Sequence, residues 1–146
     1  MDINKMNYLE KCIFAIKIGE YASGIFDGDS EKTLIDEALG IAKEWVDSEQ
    51  EAGETLYFFL DNEDNGFTLS QEMEENETKI NAWNCIIDAV AFVARAAYEK
   101  EGQEYFPEPI EIVDDSVISH MIQSLLKCDN SAQHFIEIAY QTSIEK

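Results

Sequence analysis

The stretch Ala82-Trp83-Asn84-Cys85-Ile86-Ile87-Asp88-Ala89-Val90-Ala91-Phe92-Val93-Ala94-Arg95-Ala96-Ala97 is apolar on nearly every side of a helical wheel, with no glycine or proline. A helix that is apolar all round is buried among other helices. The spacing therefore predicts a long central helix over about 71–101, stopped by Gly102. Its first turns are strongly acidic, with Glu72, Glu74, Glu75 and Glu77. Asn81, Asn84, Asp88 and Arg95 recur at helical spacing and form one polar stripe. Asp88 is the acid whose surroundings are expected to raise its pKa, with Asn84 or a neighbouring helix as hydrogen-bond partner.

Both prolines of the chain lie in Phe106-Pro107-Glu108-Pro109, so a strap over 102–114 cannot be helical throughout. Its Tyr105, Phe106, Ile110, Ile112 and Val113 are expected to lie across the bundle. Asp114 or Asp115 then caps a fifth helix through Leu126, and Ser131 opens a sixth to Ile144. On the N-terminal side, Leu9, Ile13, Ile16 and Glu20 mark a helix from about Asn4 to Ala22. Asp29 or Ser30 caps the next, with Leu34, Ala38, Ile41 and Trp45 on one face. Gly53 precedes a short third helix over 54–60, and a polar loop follows over 61–70. The expectation is all-α: one domain over 1–146, built from five or six helices around the central one, with a Pro-containing strap.

Composition narrows the function. The 146 residues carry 10 Lys and Arg against 31 Asp and Glu, a formal charge of −21. With 45% apolar residues the chain can still build a core. A single arginine, Arg95, and scattered lysines cannot neutralise a row of phosphates, which excludes direct nucleic-acid binding and docking to an anionic membrane. No apolar run reaches the roughly 18 residues of a membrane span, and Met1-Asp2 opens no signal peptide. Cys12, Cys85 and Cys128 are too far apart for a metal or redox motif and read as buried hydrophobes in a reducing cytoplasm.

The acids are clustered. Glu44, Asp47, Glu49, Glu51, Glu54, Asp61, Glu63, Asp64, Glu72, Glu74, Glu75 and Glu77 fall where no Lys or Arg occurs, so residues 44–77 carry −12. Such density costs stability through self-repulsion and exceeds what solubility requires. A solvated face is the plain reading of most of these acids taken singly. Taken together they can steer a basic partner, but tight binding also needs an anchor inside the charged ring, and anchors are typically aromatic. Leu56-Tyr57-Phe58-Phe59-Leu60 supplies one, because a helix cannot bury five consecutive large residues. With Leu56, Phe59 and Leu60 inward, Tyr57 or Phe58 faces out. Trp45 is a further aromatic in this segment, although its spacing with Ala38 and Ile41 suits a core residue. The partner-binding candidates are Trp45, Glu49, Glu51, Glu54, Tyr57, Phe58, Asp61, Glu63, Asp64, Glu72, Glu74 and Glu75.

An alternative chemistry lies in Asp61-Asn62-Glu63-Asp64-Asn65-Gly66. Counted as a calcium loop it offers Asp61, Glu63, Asn65, the Phe67 carbonyl and Glu72 as ligands. Glu63 is a carbon too long, Thr68 replaces the usual aliphatic residue, and no second loop accompanies it. The competing reading is an acidic connection whose Gly66 takes a positive φ. No catalytic motif is present: His120 and His134 stand alone on amphipathic helices, and no nucleophile elbow, P-loop or zinc helix occurs. Neither an enzyme nor a cofactor is expected. A generic acidic adaptor or nucleic-acid mimic remains a third reading of the charge.

Ala82-Trp83-Asn84-Cys85-Ile86-Ile87-Asp88-Ala89, Ala97-Tyr98-Glu99-Lys100-Glu101-Gly102 and Pro107-Glu108-Pro109-Ile110-Glu111 resemble the sixth family of immunity proteins from bacterial polymorphic toxin systems. The Ala38-to-Trp45 helix followed by Leu60-Asp61 fits the same order, so the resemblance runs from about residue 30 to residue 125. It implies a small all-α cytoplasmic protein, encoded beside a toxin that it binds and neutralises without catalysis. Many such toxins are nucleases, which must be basic to hold their substrate, and an acidic inhibitor can take the place of phosphate. The family carries over no catalytic residues. Trp83, Asn84 and the 107–111 segment match its pattern but read physically as core and scaffold. Oligomeric state is left open.

Overall fold

The computed structural model describes residues 1–144. Among the described residues there are eight α-helices and no strand: α1 (Tyr8–Ser23), α2 (Lys32–Ser48), α3 (Gly53–Leu60), α4 (Phe67–Met73), α5 (Glu77–Lys100), α6 (Glu108–Glu111), α7 (Ser116–Cys128) and α8 (Gln133–Ile144). The all-α expectation holds, with two more helices than foreseen. One is α6, inside the strap. The other is α4, which takes residues 67–70 from the expected polar loop and 71–73 from the expected central helix, and the break after it is made by Asn76. Its side chain accepts a hydrogen bond from the Lys79 N–H at 3.0 Å, capping α5 one turn later than the acidic run suggests. Glu72 therefore belongs to α4, and Glu74 and Glu75 lie in the connection.

The same chemistry moves the start of α1. Asn7 accepts from the Glu10 N–H while Glu10 accepts from the Asn7 N–H, each at 2.8 Å, so the helix begins at Tyr8 and not at Asn4. The buried face of α1 is Cys12, Phe14, Ala15, Ile16, Ile18, Gly19 and Ala22. Glu20 is exposed, against its place on the expected inner face.

Helix α5 packs against α1, α2, α3, α4, α6 and α7, and fourteen of its 24 residues are buried. It is long and apolar enough to cross a membrane, which the count of uninterrupted apolar residues misses, but most of that apolar stretch is buried inside the fold. Its alanines are what let so many neighbours approach. A Cβ built on Gly19 of α1 would lie 3.0 Å from Leu39 of α2 and 3.1 Å from Ala89 of α5, so three helices meet at nearly backbone distance. Trp83 anchors the other end, tilted against Phe26 at 4.8 Å and against Phe67, the first residue of α4, at 5.4 Å.

The strap is fastened by the chain's single arginine. Arg95 Nη1 donates to the carbonyls of Ile110 at 3.1 Å and Glu111 at 2.7 Å. Its Nε donates to Glu99, and its guanidinium lies 4.3 Å from the centre of the Phe106 ring. Ile110 and Phe106 thus lie across the bundle as expected, whereas Tyr105 and Ile112 are exposed.

Helix α3 has no cap of its own, because Ala52 stands at its N-terminus. Glu101, just past the end of α5, accepts from the N–H groups of Ala52 at 3.0 Å and Gly53 at 3.1 Å. A carboxylate there satisfies two otherwise unpaired donors and complements the helix dipole. Gly53 is needed for the approach, since a Cβ would meet Tyr98 at 2.8 Å. Glu101→Ala is expected to lower stability by about 1 kcal/mol, the usual scale for a lost N-cap. Hydrogen exchange should speed up first in α3. Uniform acceleration across all helices would show that the contact does not hold α3 in particular.

Candidate functional site

Helix α3 carries five large residues in a row and sorts them by the turn. Leu56 and Leu60 are buried, Tyr57 and Phe59 half-buried, and Phe58 is 65% exposed. The outward aromatic is therefore Phe58. It faces a cleft of about 590 Å³ between α2 and α3, with Leu34, Ile41 and Phe59 as apolar surface and Glu37 and Glu54 as acids. Tyr57 turns the other way. Its hydroxyl donates to Asp61 at 2.8 Å, and burial together with that bond pushes its pKa up to about 12.

Tyr57 and Asp61 line a second cleft, of about 580 Å³, between α3, α5, α6 and α7. At this cleft Asp88 Oδ2 lies 2.5 Å from His120 Nδ1. Asn84, the alternative partner expected for Asp88, instead accepts from Gln71 of α4 at 2.7 Å. Helix α3 is thus a partition with a cleft on each side.

The other candidates divide. Glu49, Glu51, Glu54, Asp61, Glu63, Asp64, Glu72 and Glu75 are exposed, and Glu74 is half-buried. Trp45 is 3% exposed and so belongs to the core, as its α2 spacing with Ala38 and Ala42 dictates. Glu72, Glu74 and Glu75 line neither cleft. Within residues 44–77, and among the described residues, only Glu49 pairs with a cation, Lys100 at 3.9 Å. The remaining ion pairs engage Lys11, Lys32, Lys43, Lys79 and Arg95 elsewhere. Apart from Glu49, the acids of α3 and its flanking loops have no ion-pair partner among the described residues.

The 61–72 segment is not arranged as a calcium loop. Asn62 accepts from the N–H groups of Asp64 and Asn65, and α4 already begins at Phe67, where a calcium loop would still be turning. Gly66 has φ of −59°, not the positive value expected. Glycine is required there because a Cβ would fall 2.7 Å from the Asn62 nitrogen. No group of three His, Cys, Asp or Glu among the described residues is placed to hold a metal ion. Calcium at about 1 mM, the weak end of protein calcium sites, is expected to leave the melting temperature unchanged. A rise abolished by Glu72→Gln would reinstate the loop.

Two site residues have no local signal in the sequence. His120 reaches Asp88 across 32 residues, and Leu34 of α2 lines the same cleft as Phe58 of α3. Burial lifts the Asp88 carboxyl to about 6, against the pull of its bond to His120. Between about pH 4 and that value the folded protein keeps a proton that the unfolded chain has released, so stability falls as pH rises through the window. Asp88→Asn is expected to remove that fall. Its melting temperature should match or exceed the wild type's at about pH 7.5, with no such gain below about pH 4. A variant that melts far lower at neutral pH would show that the His120 bond outweighs the burial.

No match is found among curated proteins or among solved structures. The family model described as immunity protein Imm6 matches residues 10–128, which contain α3, both clefts and the strap. On that match, and in keeping with the resemblance carried by its central helix and strap, the chain belongs to the Imm6 family of immunity proteins.

Proposed function

We propose that this immunity protein binds a basic toxin domain, a nuclease, and neutralises it by stoichiometric occlusion through the acidic surface around α3. The observation that carries this reading is Phe58, 65% exposed and set in sequence among acids of which, among the described residues, only Glu49 pairs with a cation. An exposed aromatic over apolar ground, ringed by uncompensated charge, is the composition of an interface hot spot with an electrostatic rim. The acids would draw in a surface built to hold phosphate, and Phe58 would fix it once docked.

Catalysis plays no part in this mechanism, and no cofactor is invoked. Direct contact with nucleic acid is not proposed either, since the protein repels phosphate. The reading places the protein in the cytoplasm, where a nuclease meets its substrate and where three free cysteines suit the redox state.

The test is an affinity capture from the host, washed at low and then high salt. One basic toxin domain surviving the wash is the expected result. A mixture of basic proteins that all leave at high salt would instead identify a generic acidic adaptor. With the captured toxin, charge reversal at Glu49, Glu51 and Glu54 is expected to slow association roughly tenfold or more and to flatten its salt dependence. Phe58→Ala should chiefly speed dissociation. Wild-type rates in both variants would move the interface off α3.

A further inference from the structure

The cleft on the Tyr57 side of α3 has a composition different from the acidic face beyond it. Ile87, Ala91, Ile110 and Val117 give it an apolar lining, and two carboxylates, Asp61 and Asp88, are set into that lining. Among the described residues no lysine or arginine lines it. The chain's single guanidinium, Arg95, is engaged through Nε and Nη1 by Glu99 and the strap carbonyls. Among the described residues His120 is the one group lining the cleft able to carry positive charge, and its side chain is 55% exposed while that of Asp88 is 16% exposed. Among the described residues Asp88 is bonded only through Oδ2, which leaves Oδ1 for a guest.

An apolar channel ending on carboxylates matches one kind of side chain: a hydrocarbon stem with a cationic tip. We propose that the cleft between α3, α5, α6 and α7 is a socket for an arginine or lysine presented on a segment of the toxin domain, with Asp88 and Asp61 as its charge partners. This deepens the toxin-binding reading and rests on it. A cleft of about 580 Å³ exceeds the needs of one side chain, so backbone of the inserted segment enters as well. Ile112, 78% exposed on the strap at the cleft, supplies apolar contact for that segment. Burial already holds the Asp88 carboxyl well above its ordinary range, so an incoming cation relieves a charge that His120 answers only in part.

The socket predicts two results with the full chain. Titration of the isotope-labelled protein with N-acetyl-arginine amide should give saturable amide shifts at Asp88, Ala91 and Val117, and N-acetyl-leucine amide should not reproduce them. Asp88→Asn should weaken those shifts and speed dissociation of the captured toxin roughly tenfold, since removing one member of a buried charge pair acts on the off-rate. Ile112→Arg changes an exposed residue and places a competing cation beside the cleft, so it should impair both measurements without unfolding the protein. The melting temperature of each variant serves as the folding control. Arginine shifts confined to residues 44–60 would overturn the socket, as would a toxin held equally well by wild type and Asp88→Asn. If the wild type captures no toxin at all, the parent reading fails and the socket falls with it. Capture by the wild type with an indifferent Asp88→Asn removes the socket alone.

Discussion

A helix buried on every side has nowhere to put its polar residues except against its neighbours, and α5 sets that condition for the molecule. Burying a charged group without partners costs several kcal/mol, so each polar residue of α5 must be answered by another element. Arg95 is answered by Glu99 and by strap carbonyls, which is why a segment with two prolines still lies in a defined place. Asn84 is answered by Gln71, which draws α4 back along α5 after the break at Asn76. Glu101, just past the last turn, answers the bare N-terminus of α3. Asp88 is answered least completely, by a half-exposed histidine, and a cleft opens beside it.

The charge follows a related logic. An acidic chain with one arginine and few lysines can place its cations in few positions. Those that form ion pairs bind α1 to the start of α7, α2 to α1, the loop before α2 to α5, and Arg95 to its own helix. They join the scaffold, and among the described residues only Lys100, paired with Glu49, reaches the loops that flank α3. The resulting self-repulsion is tolerable because α3 is tied to α5 through Glu101, Gly53 and buried leucines, contacts that do not depend on the net charge of the face. A basic partner would relieve the repulsion on docking, so part of the binding energy would come from strain that the free protein already carries.

The architecture was legible where local chemistry decides it. All-round apolarity of Ala82–Ala97 gave the buried helix, and the five-residue run Leu56–Leu60 gave an outward aromatic at either Tyr57 or Phe58. Two boundaries were misread although their signals are local. The capping box of Asn7 with Glu10 and the cap of Asn76 both start helices later than hydrophobic spacing implies. The acidic run over 72–77 looks like a favourable first helical turn, and only the cap shows that it precedes one. Tertiary facts were out of reach. That Tyr57 and His120 would line one cleft is set by how α3 and α7 pack on α5, which no local pattern in the sequence encodes.

Helix α3 is only eight residues long, too short to be stable alone, yet it separates the two clefts and supplies an aromatic to each. Its rigidity is borrowed chiefly from α5, through a cap from one residue and a glycine contact with another, with α2 and α4 also packed against it. That arrangement suits a recognition element. Ordering a loop at the moment of binding would reduce affinity, whereas a short helix already fixed by its neighbours presents Phe58 and Tyr57 with that entropy lost on folding. The acidic loops on either side need no comparable order, because screened charges act over several ångströms and tolerate imprecise placement. On the proposed interface, steering and anchoring would therefore be separated: the loops would supply the charge that attracts, and the capped helix the side chains that hold.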